Sequence, residues 1–331
     1  MMLLTGGYEA VQSRAGWLEV KNAGTVSVGG HDRADFLHNM ISNDVLGLDL
    51  LEGRRGTLLT PTGKMVAEFH YYRLPDSFLF TLQGWDVDHF VNILGSYIIV
   101  DDVTLEVWTE RFASFSIQGA SSGTVVEDLI GVRSIPKPAR ATRGNWQGHE
   151  FLAIDRPDIG DRGYFLLIAQ AGREALRQAL VGLHGQGIEE VTPAEFSLLR
   201  LERGCPLAGT DMTRDSNPLE AGLDDAISLE KGCYVGQEVI AKATHIGGMP
   251  RRLVRVRFEG EIAVKAGSTL QVNGSERSIG QVTSCNWSPR LGAVIALARL
   301  RSRFAHEGQQ VETANEAGLQ VTGTVVNDFL G

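Results

Sequence analysis

A cysteine set between two glycines is the residue of this chain best suited to chemistry. Cys233 stands in the run Lys231-Gly232-Cys233-Tyr234-Val235-Gly236-Gln237-Glu238, directly before a short apolar segment typical of a helix. Glycine lets a backbone approach a ligand closely. A thiol beside a cation and near a helix start is favoured in its charged, nucleophilic form. The run therefore predicts either an activated thiol supported by Lys231 or a small apolar side chain in a glycine-rich turn.

The number and spacing of the cysteines exclude several other kinds of site. Cys205, Cys233 and Cys285 are odd in number and widely scattered, and no C-x-x-C or Cys/His cluster is present. This argues against a disulfide framework and against a resident metal site, so we predict no metal ligands. It favours a reducing compartment such as the cytoplasm.

The net charge and the hydropathy of the chain argue against nucleic-acid and membrane partners. The formal net charge is −9, which disfavours direct nucleic-acid binding, since that binding rests on phosphate neutralisation by Lys and Arg. The first residues lack the basic region of a signal peptide, and no apolar stretch approaches the length needed to cross a membrane. We therefore expect no membrane partner.

The 331 residues predict two or three domains, because one core rarely serves so long a chain. Short strands alternate with helices in the first third, a pattern typical of an antiparallel sheet that carries helices. The elements predicted there are strands at 17–20, 25–28, 56–60, 65–74, 78–82 and 103–108 and helices at 32–41 and 86–97.

The later elements complete an α+β protein with an all-β end. Strands are predicted at 149–154 and 163–169, followed by a helix at 172–184. Thr192-Pro193-Ala194-Glu195 predicts a helix start, with Thr as the N-cap, Pro first and Glu third. From residue 251 onwards, short alternating strands separated by Gly, Asn and Ser indicate a small barrel or sandwich.

Several segments together resemble the YgfZ family, folate-binding relatives of the glycine cleavage T-protein, which is an aminomethyltransferase. The run 231–238 is similar to the hallmark K-G-C-[aromatic]-x-G-Q-E of that branch, which the T-protein lacks. The resemblance spans nearly the whole chain. The other similar segments are 199–207, 217–223, Ser42-Asn43-Asp44-Val45, Gly63-Lys64-Met65 and 279–284.

The resemblance implies an α+β fold of three domains in a cloverleaf, with antiparallel sheets, helices and a C-terminal all-β barrel. The implied domains are 1–30 with 112–150 and 205–243, then 31–111 with 151–204, and last the barrel at 244–331. It also implies a central channel that holds tetrahydrofolate or a one-carbon derivative. The implied role is maturation or repair of iron–sulfur proteins, including tRNA-thiolating enzymes, with client proteins or assembly machinery as partners. We expect a monomer.

Under this resemblance Cys233 and Lys231 are the predicted catalytic residues. Tyr234, Phe80 and Trp17 are possible walls of an aromatic slot, and the cations at positions 231, 242, 251 and 252 could meet an acidic ligand tail. The predicted cofactor-binding residues are Asn43, Asp44, Phe80, Glu202, Gly232, Tyr234, Gly236, Gln237 and Arg251.

Most of these residues also have a structural interpretation. Asn43 and Asp44 could close the preceding helix or form a turn. The cations could be ordinary surface charges. Gln237 and Glu238 could stabilise the first turn of the helix that follows them.

The chain departs from the T-protein at two carboxylates. Where the T-protein has an aspartate by the reactive folate nitrogen, this chain has Met65-Val66-Ala67-Glu68, with Glu68 one or two places away. The pterin-anchoring glutamate would fall near Tyr164-Phe165, where no carboxylate is present.

Three functions from different classes follow. The first is a tetrahydrofolate-binding accessory factor for iron–sulfur assembly, favoured by the run 231–238. The second is a folate-dependent aminomethyltransferase or methyltransferase, favoured by the superfamily and weakened by the two missing carboxylates. The third is an interaction protein that keeps the fold as a scaffold and binds no folate.

Overall fold

The computed structural model describes residues 6–131, 140–259, 264–272, 275, 277–314 and 318–329, and they form an α+β protein. The α-helices are α1 (Gly6–Ser13), α2 (Arg33–Met40), α3 (Val87–Gly95), α4 (Ser122–Ile130), α5 (Arg173–Val181), α6 (Pro193–Glu202) and α7 (Gln237–Lys242). The strands of the first half are β1 (Ala15–Glu19), β2 (Ala23–Gly29), β3 (Gly53–Leu59), β4 (Met65–Arg73), β5 (Phe78–Gln83), β6 (Thr104–Val107), β7 (Phe112–Gln118), β8 (Ala141–Trp146), β9 (His149–Asp155) and β10 (Gly163–Ala169). The later strands are β11 (Ile188–Glu190), β12 (Arg251–Glu259), β13 (Thr269–Gln271), β14 (Ser278–Ser288), β15 (Ala293–Arg301), β16 (Gln310–Ala314) and β17 (Gln320–Val326).

The chain divides into two compact units. The two-sheet unit is Met1–Thr60, Val66–Phe196 and Asp225–Val235, and the barrel unit is Pro61–Met65, Ser197–Asp224 and Gly236–Gly331. Both units are discontinuous in sequence. The predicted division into three domains, with its boundaries, stays a prediction.

The two-sheet unit contains two sheets, in which neighbouring strands are mostly antiparallel. The first has the order β11-β1-β7-β10-β9-β8, with β1 and β11 parallel. The second has the order β3-β4-β5-β2-β6. Consecutive strands β1 and β2 belong to different sheets, which the meander pattern of the sequence did not indicate. The predicted α+β class with antiparallel sheets is confirmed.

Aromatic side chains form part of the core between the second sheet and α3. Phe80 on β5 is fully buried, and its ring centroid lies 4.9 Å from that of Phe69 and 5.7 Å from that of Tyr71. Phe90 of α3 contacts the same group at 5.7 Å from Phe80. Edge-on, stacked and tilted ring contacts of this kind stabilise a core beyond their buried area.

The barrel unit contains a closed barrel with the strand order β12-β15-β14-β13-β16-β17. Its interior is apolar, and Phe258, Leu270 and Leu300 are fully buried there. Closure pairs every strand edge, which removes the exposed backbone groups that promote aggregation. The predicted C-terminal all-β barrel is confirmed.

The predicted start of α6 is also confirmed. Thr192 donates from its backbone N–H and its hydroxyl to Glu195 Oε2, at 2.9 and 2.8 Å, and Glu195 N–H donates to Thr192 Oγ1 at 3.3 Å. This reciprocal pattern satisfies donors that a helix start leaves unpaired. Glu195 Oε1 also accepts from Tyr8 N–H at 3.1 Å, so the same carboxylate joins α1 to the start of α6.

No helix in the described ranges is long and apolar enough to cross a membrane.

Candidate functional site

The segment that follows α2 is fixed between strand β3 and the chain at 226–228. Ser42 donates its hydroxyl to Ala226 O at 2.6 Å, and its Oγ accepts from Thr57 N–H at 2.9 Å. Ser42 N–H donates to Thr57 O at 2.9 Å, and Ser42 O accepts from Ser228 N–H at 3.0 Å. These long-range bonds bring the segment Ser42–Val45 next to the run that contains Cys233.

The side chain of Asn43 links the segment Ser42–Val45 to the neighbouring chain through hydrogen bonds. Its Nδ2 donates to Arg55 O at 2.9 Å and to Asp225 O at 3.0 Å, and its Oδ1 accepts from Asp44 N–H at 2.8 Å. Only 8% of Asn43 is exposed. Both donors and the acceptor of this amide are therefore used inside the protein, as the turn interpretation predicts.

Asp44 lies in a small cluster of charges. Its Oδ2 accepts from Arg54 Nη1 at 2.8 Å and from Gly47 N–H at 3.2 Å, and its Oδ1 lies 3.4 Å from His38 Nδ1. Burial raises the pKa of Asp44, but the Gly47 amide and the Arg54 guanidinium outweigh it, so that the pKa lies below its usual range. The carboxylate is thus held ionised by its own loop and by strand β3.

Lys231 binds the carbonyl end of α2. Its Nζ donates to His38 O and, at 2.6 Å, to Ile41 O, and it lies 3.5 Å from Asn43 O and 5.0 Å from the centroid of the Tyr234 ring. A cation is favourable at a helix C-terminus, where carbonyls lack partners. Burial lowers the pKa of Lys231 to about 8, while Asp44 acts in the opposite direction.

Cys233 and Gly232 form the exposed tip of this run. All three cysteines are thiols, and Cys233 is the one whose residue is exposed. A Cβ added to Gly232 would lie 3.8 Å from His38 Nε2. Burial, and next the Lys231 charge, lowers the pKa of His38. The thiol of Cys233 is therefore exposed to solvent. The run that carries it is bound to α2 through Lys231 and lies near the His38 imidazole at Gly232.

The second half of the run lies in the barrel unit. Gly236 has φ of +81°, a left-handed conformation that suits glycine, and α7 begins at the next residue, Gln237. Gly63 also has a positive φ, and a Cβ there would come within 2.7 Å of Val239 on α7. Gly63 O accepts from the buried Asn217 Nδ2 at 2.7 Å. Three segments that carry the family resemblance thus meet at α7.

The remaining predicted ligand residues differ in exposure. Phe80 is enclosed by other rings, so a ligand contact there would require the aromatic core to rearrange. Glu202 is buried and accepts from Ser288 Oγ at 2.6 Å. Tyr234 is 9% exposed. Arg251 is exposed at the start of β12. Their contacts with a cofactor stay a prediction.

The two departures from the T-protein have visible structural consequences. Glu68 is buried, and its Oε1 accepts from Arg55 Nε at 2.8 Å. Its carboxylate is therefore neutralised by an adjacent guanidinium. At the second position, Phe165 lies under the guanidinium of Arg156, whose Cζ is 3.8 Å from the ring centroid. A cation on an aromatic face occupies this position.

Comparison with known proteins identifies the family. A family model for the GCVT N-terminal domain matches residues 4–231, and one for the glycine cleavage T-protein C-terminal barrel domain matches residues 251–330. The chain belongs to the glycine cleavage T-protein family. The two family models together match residues in both units.

Curated relatives similar to this glycine cleavage T-protein family member carry transferase names. An aminomethyltransferase of Exiguobacterium sibiricum is 27% identical over 306 residues, which are 91% of this chain and 82% of that protein. One of Thermotoga petrophila is 27% identical over 328 residues, 96% of this chain and 86% of that protein. A chloroplastic protein of Arabidopsis thaliana, described only as a candidate transferase, is 25% identical over 301 residues, 90% of this chain and 68% of that protein.

A solved structure supports the fold assignment. The crystal structure of glycine cleavage system aminomethyltransferase T from Bartonella henselae has a TM-score of 0.89 and 20% sequence identity, covering 98% of this chain and 88% of that chain. At this identity the likeness concerns the fold of the glycine cleavage T-protein family alone.

The sequence did not reveal two residues of the site, His38 and Arg54. His38 lies in the last turn of α2, five residues before Asn43, and Arg54 is the first of two adjacent arginines on β3. Neighbouring strand residues point to opposite faces, which lets Arg54 reach Asp44 while Arg55 reaches Glu68. The signal available in the sequence was the pair Arg54-Arg55, which lies between the carboxylates of Asp44 and Glu68 along the chain. Within the described residues, no cluster of His, Cys, Asp or Glu is suited to hold a metal ion.

Proposed function

We propose that this chain is a YgfZ-type member of the glycine cleavage T-protein family that binds tetrahydrofolate, or a one-carbon derivative, and assists the maturation or repair of iron–sulfur proteins. The exposed thiol of Cys233 within the run Lys231–Glu238 carries this proposal. The proposal includes the three-domain division, a monomer in the cytoplasm, and iron–sulfur client proteins or assembly machinery as partners.

The contacts of the run support a functional thiol. Lys231 fixes the chain just before Cys233 by binding the carbonyl end of α2. A cysteine that served only packing would be expected among apolar side chains, since free cysteine is among the most buried residue types. The side chain of Cys233 can instead meet a partner or a ligand without local unfolding. Because the Lys231 ammonium binds carbonyls, we assign Lys231 a positioning role.

The folate part of the proposal rests on the family resemblance. A pterin ring needs an aromatic or apolar slot. The rings of Trp17, Phe80 and Tyr234 are each at least nine-tenths buried, so they do not supply an open face. Gly232 and Arg251 are exposed and accessible to a ligand.

A folate-dependent aminomethyltransferase or methyltransferase is the second proposal, since the bacterial relatives bear the aminomethyltransferase name. The ion pair of Glu68 with Arg55 weighs against it, because the buried carboxylate is already engaged by a guanidinium of the chain. Transfer of an aminomethyl or methyl group to tetrahydrofolate by the purified protein would favour this second function over the first.

Replacing Cys233 by alanine is expected to abolish the ability of the gene to restore iron–sulfur enzyme activity in cells that lack it. The exposed thiol has few packing contacts to lose, so the variant should fold normally. Cys285→Ala is the matched control, because that thiol donates to Val264 O at 3.1 Å within the barrel unit. Equal restoration by wild type and Cys233→Ala would make the thiol structural and end the proposal.

Titration calorimetry separates the folate-binding functions from a folate-free scaffold. We expect tetrahydrofolate to bind the full chain with a dissociation constant in the micromolar range, which corresponds to roughly −8 kcal/mol. Absence of measurable heat at millimolar ligand would leave the scaffold function. The Cys233→Ala variant should retain binding if the thiol acts on a partner rather than on the folate.

A further inference from the structure

A second polar site lies in the barrel unit. A cavity of about 350 Å³ is lined by three arginines, Arg251, Arg299 and Arg301, together with hydroxyl and amide side chains. None of the described residues that line it is acidic. Three guanidinium groups around one cavity are unexpected in a chain whose formal net charge is −9.

Two of these arginines face each other directly. Arg251 on β12 and Arg301 on β15 are register partners in the antiparallel pair β12/β15. Both residues are exposed, and neither has a carboxylate partner within the described part of the chain. Like charges directly opposite each other on neighbouring strands are destabilising. An anion between them would remove this repulsion.

The third arginine is already held in place. Arg299 lies two residues before Arg301, on the same face of β15, and its Nη2 donates to Asp211 O at 2.9 Å and to Ser216 Oγ at 3.1 Å. Its guanidinium is therefore oriented before any ligand arrives. Thr269 on β13 and Ser278 on β14 add hydroxyl groups to the wall of the cavity.

We propose that this cavity binds a compact polyanion that carries two or more phosphate or clustered carboxylate groups. Guanidinium groups bind both kinds of group through paired N–H bonds. The volume is that of a small-ligand pocket rather than of an extended surface groove. The lining residues all belong to barrel strands and include none of the run 231–238, and Arg251 is the one residue that this site shares with the predicted cofactor-binding residues.

Titration calorimetry at low ionic strength tests the site, with inorganic pyrophosphate and citrate as the two probes. We expect at least one of them to bind the wild-type chain, and the double variant Arg251→Ala/Arg301→Ala to bind it at least tenfold more weakly. Pyrophosphate binding alone would identify a phosphate ligand, and citrate binding alone a polycarboxylate. Arg290→Ala is the matched control, since Arg290 is exposed in the turn between β14 and β15 and outside the cavity.

Thermal unfolding provides a second readout that does not confuse binding with misfolding. Without anion, the double variant should melt at the same temperature as wild type or higher, because the repulsion between opposite arginines is gone. With the binding probe, only wild type and Arg290→Ala should gain stability. The proposal is overturned if neither probe binds wild type, if Arg290→Ala loses as much affinity as the double variant, or if a single-stranded RNA binds more tightly than both probes.

Discussion

Replacing Asp211 by alanine is expected to destabilise the barrel unit by about 3–5 kcal/mol, because it breaks a buried ion pair. Asp211 is 1% exposed, and its Oδ2 accepts from Arg200 Nη1 at 2.5 Å and from Leu207 N–H at 2.9 Å. Arg200 is itself 4% exposed. Removing the carboxylate leaves that guanidinium buried without a counter-charge, which is costlier than the loss of the hydrogen bonds alone.

The other oxygen of Asp211 adds to this effect. Asp211 Oδ1 accepts from Thr283 Oγ1 and from Ser284 Oγ, both at 2.5 Å, where β14 has a register shift between Val282 and Ser284. The carboxylate thus joins α6, the loop at 207–211 and an irregular barrel strand. Its loss leaves two hydroxyl groups without their acceptor in addition to the buried charge.

Urea unfolding followed by circular dichroism measures the effect, and Asp215→Ala is the matched control. Asp215 lies four residues after Asp211 and pairs with Lys64 at 3.0 Å, but its side chain is 86% exposed. Exposed ion pairs contribute about 1 kcal/mol or less. A similar shift of the unfolding midpoint in both variants would show that the buried network does not carry the stability assigned to it.

The sequence predicted most strands and the longer helices because their signals are local. The pattern of Thr192 and Glu195 defined the start of α6, and strand β10 matches its predicted bounds at 163–169. Helices α1 and α4 were not predicted. Each begins at or beside glycine, which is a poor helix former, so the sequence signal for a helix start is weak there.

The neighbours of the candidate site could not be predicted, because they are far apart in the chain. Lys231 Nζ reaches the carbonyl of His38, which lies 193 positions away. Asn43 reaches Asp225 across 182 positions. Such contacts depend on which strands share a sheet, and the separation of β1 and β2 into two sheets had no local signal. The family resemblance indicated that both Ser42–Val45 and the run 231–238 are family segments. It did not predict that the two segments are in contact.

Burial on both faces of a strand explains why Phe80 was placed in an aromatic slot. Strand β5 is buried at five successive positions, from Phe78 to Leu82, so its sequence does not alternate. Without alternation, a sequence cannot distinguish the face that meets a core from the face that meets a ligand. For Lys231 the sequence favours exposure, because most lysines are surface charges. Its binding to the carbonyls at the end of α2 depends on contacts that the sequence does not show.

Lys231 is expected to make the stability of the chain rise between about pH 8 and pH 10.5 relative to a variant without it. Burial lowers its folded-state pKa from 10.5 to about 8. Between these values the unfolded chain binds more protons than the folded chain, so the free energy of unfolding increases with pH. The pKa difference corresponds to an increase of up to about 3 kcal/mol in the free energy of unfolding. The increase arises because deprotonation removes the cost of burying the charged ammonium.

Urea unfolding of wild type and Lys231→Met at several pH values from 7 to 10.5 measures this difference. The methionine keeps an apolar stem of similar length and removes the titrating group. The free energy of unfolding of wild type minus that of the variant should increase through this range, because other titrating groups are common to both proteins. Lys21→Met, which removes an exposed ammonium between β1 and β2, should give a curve parallel to wild type. Parallel curves for Lys231→Met as well would mean that burial does not lower the pKa of Lys231 in the folded chain.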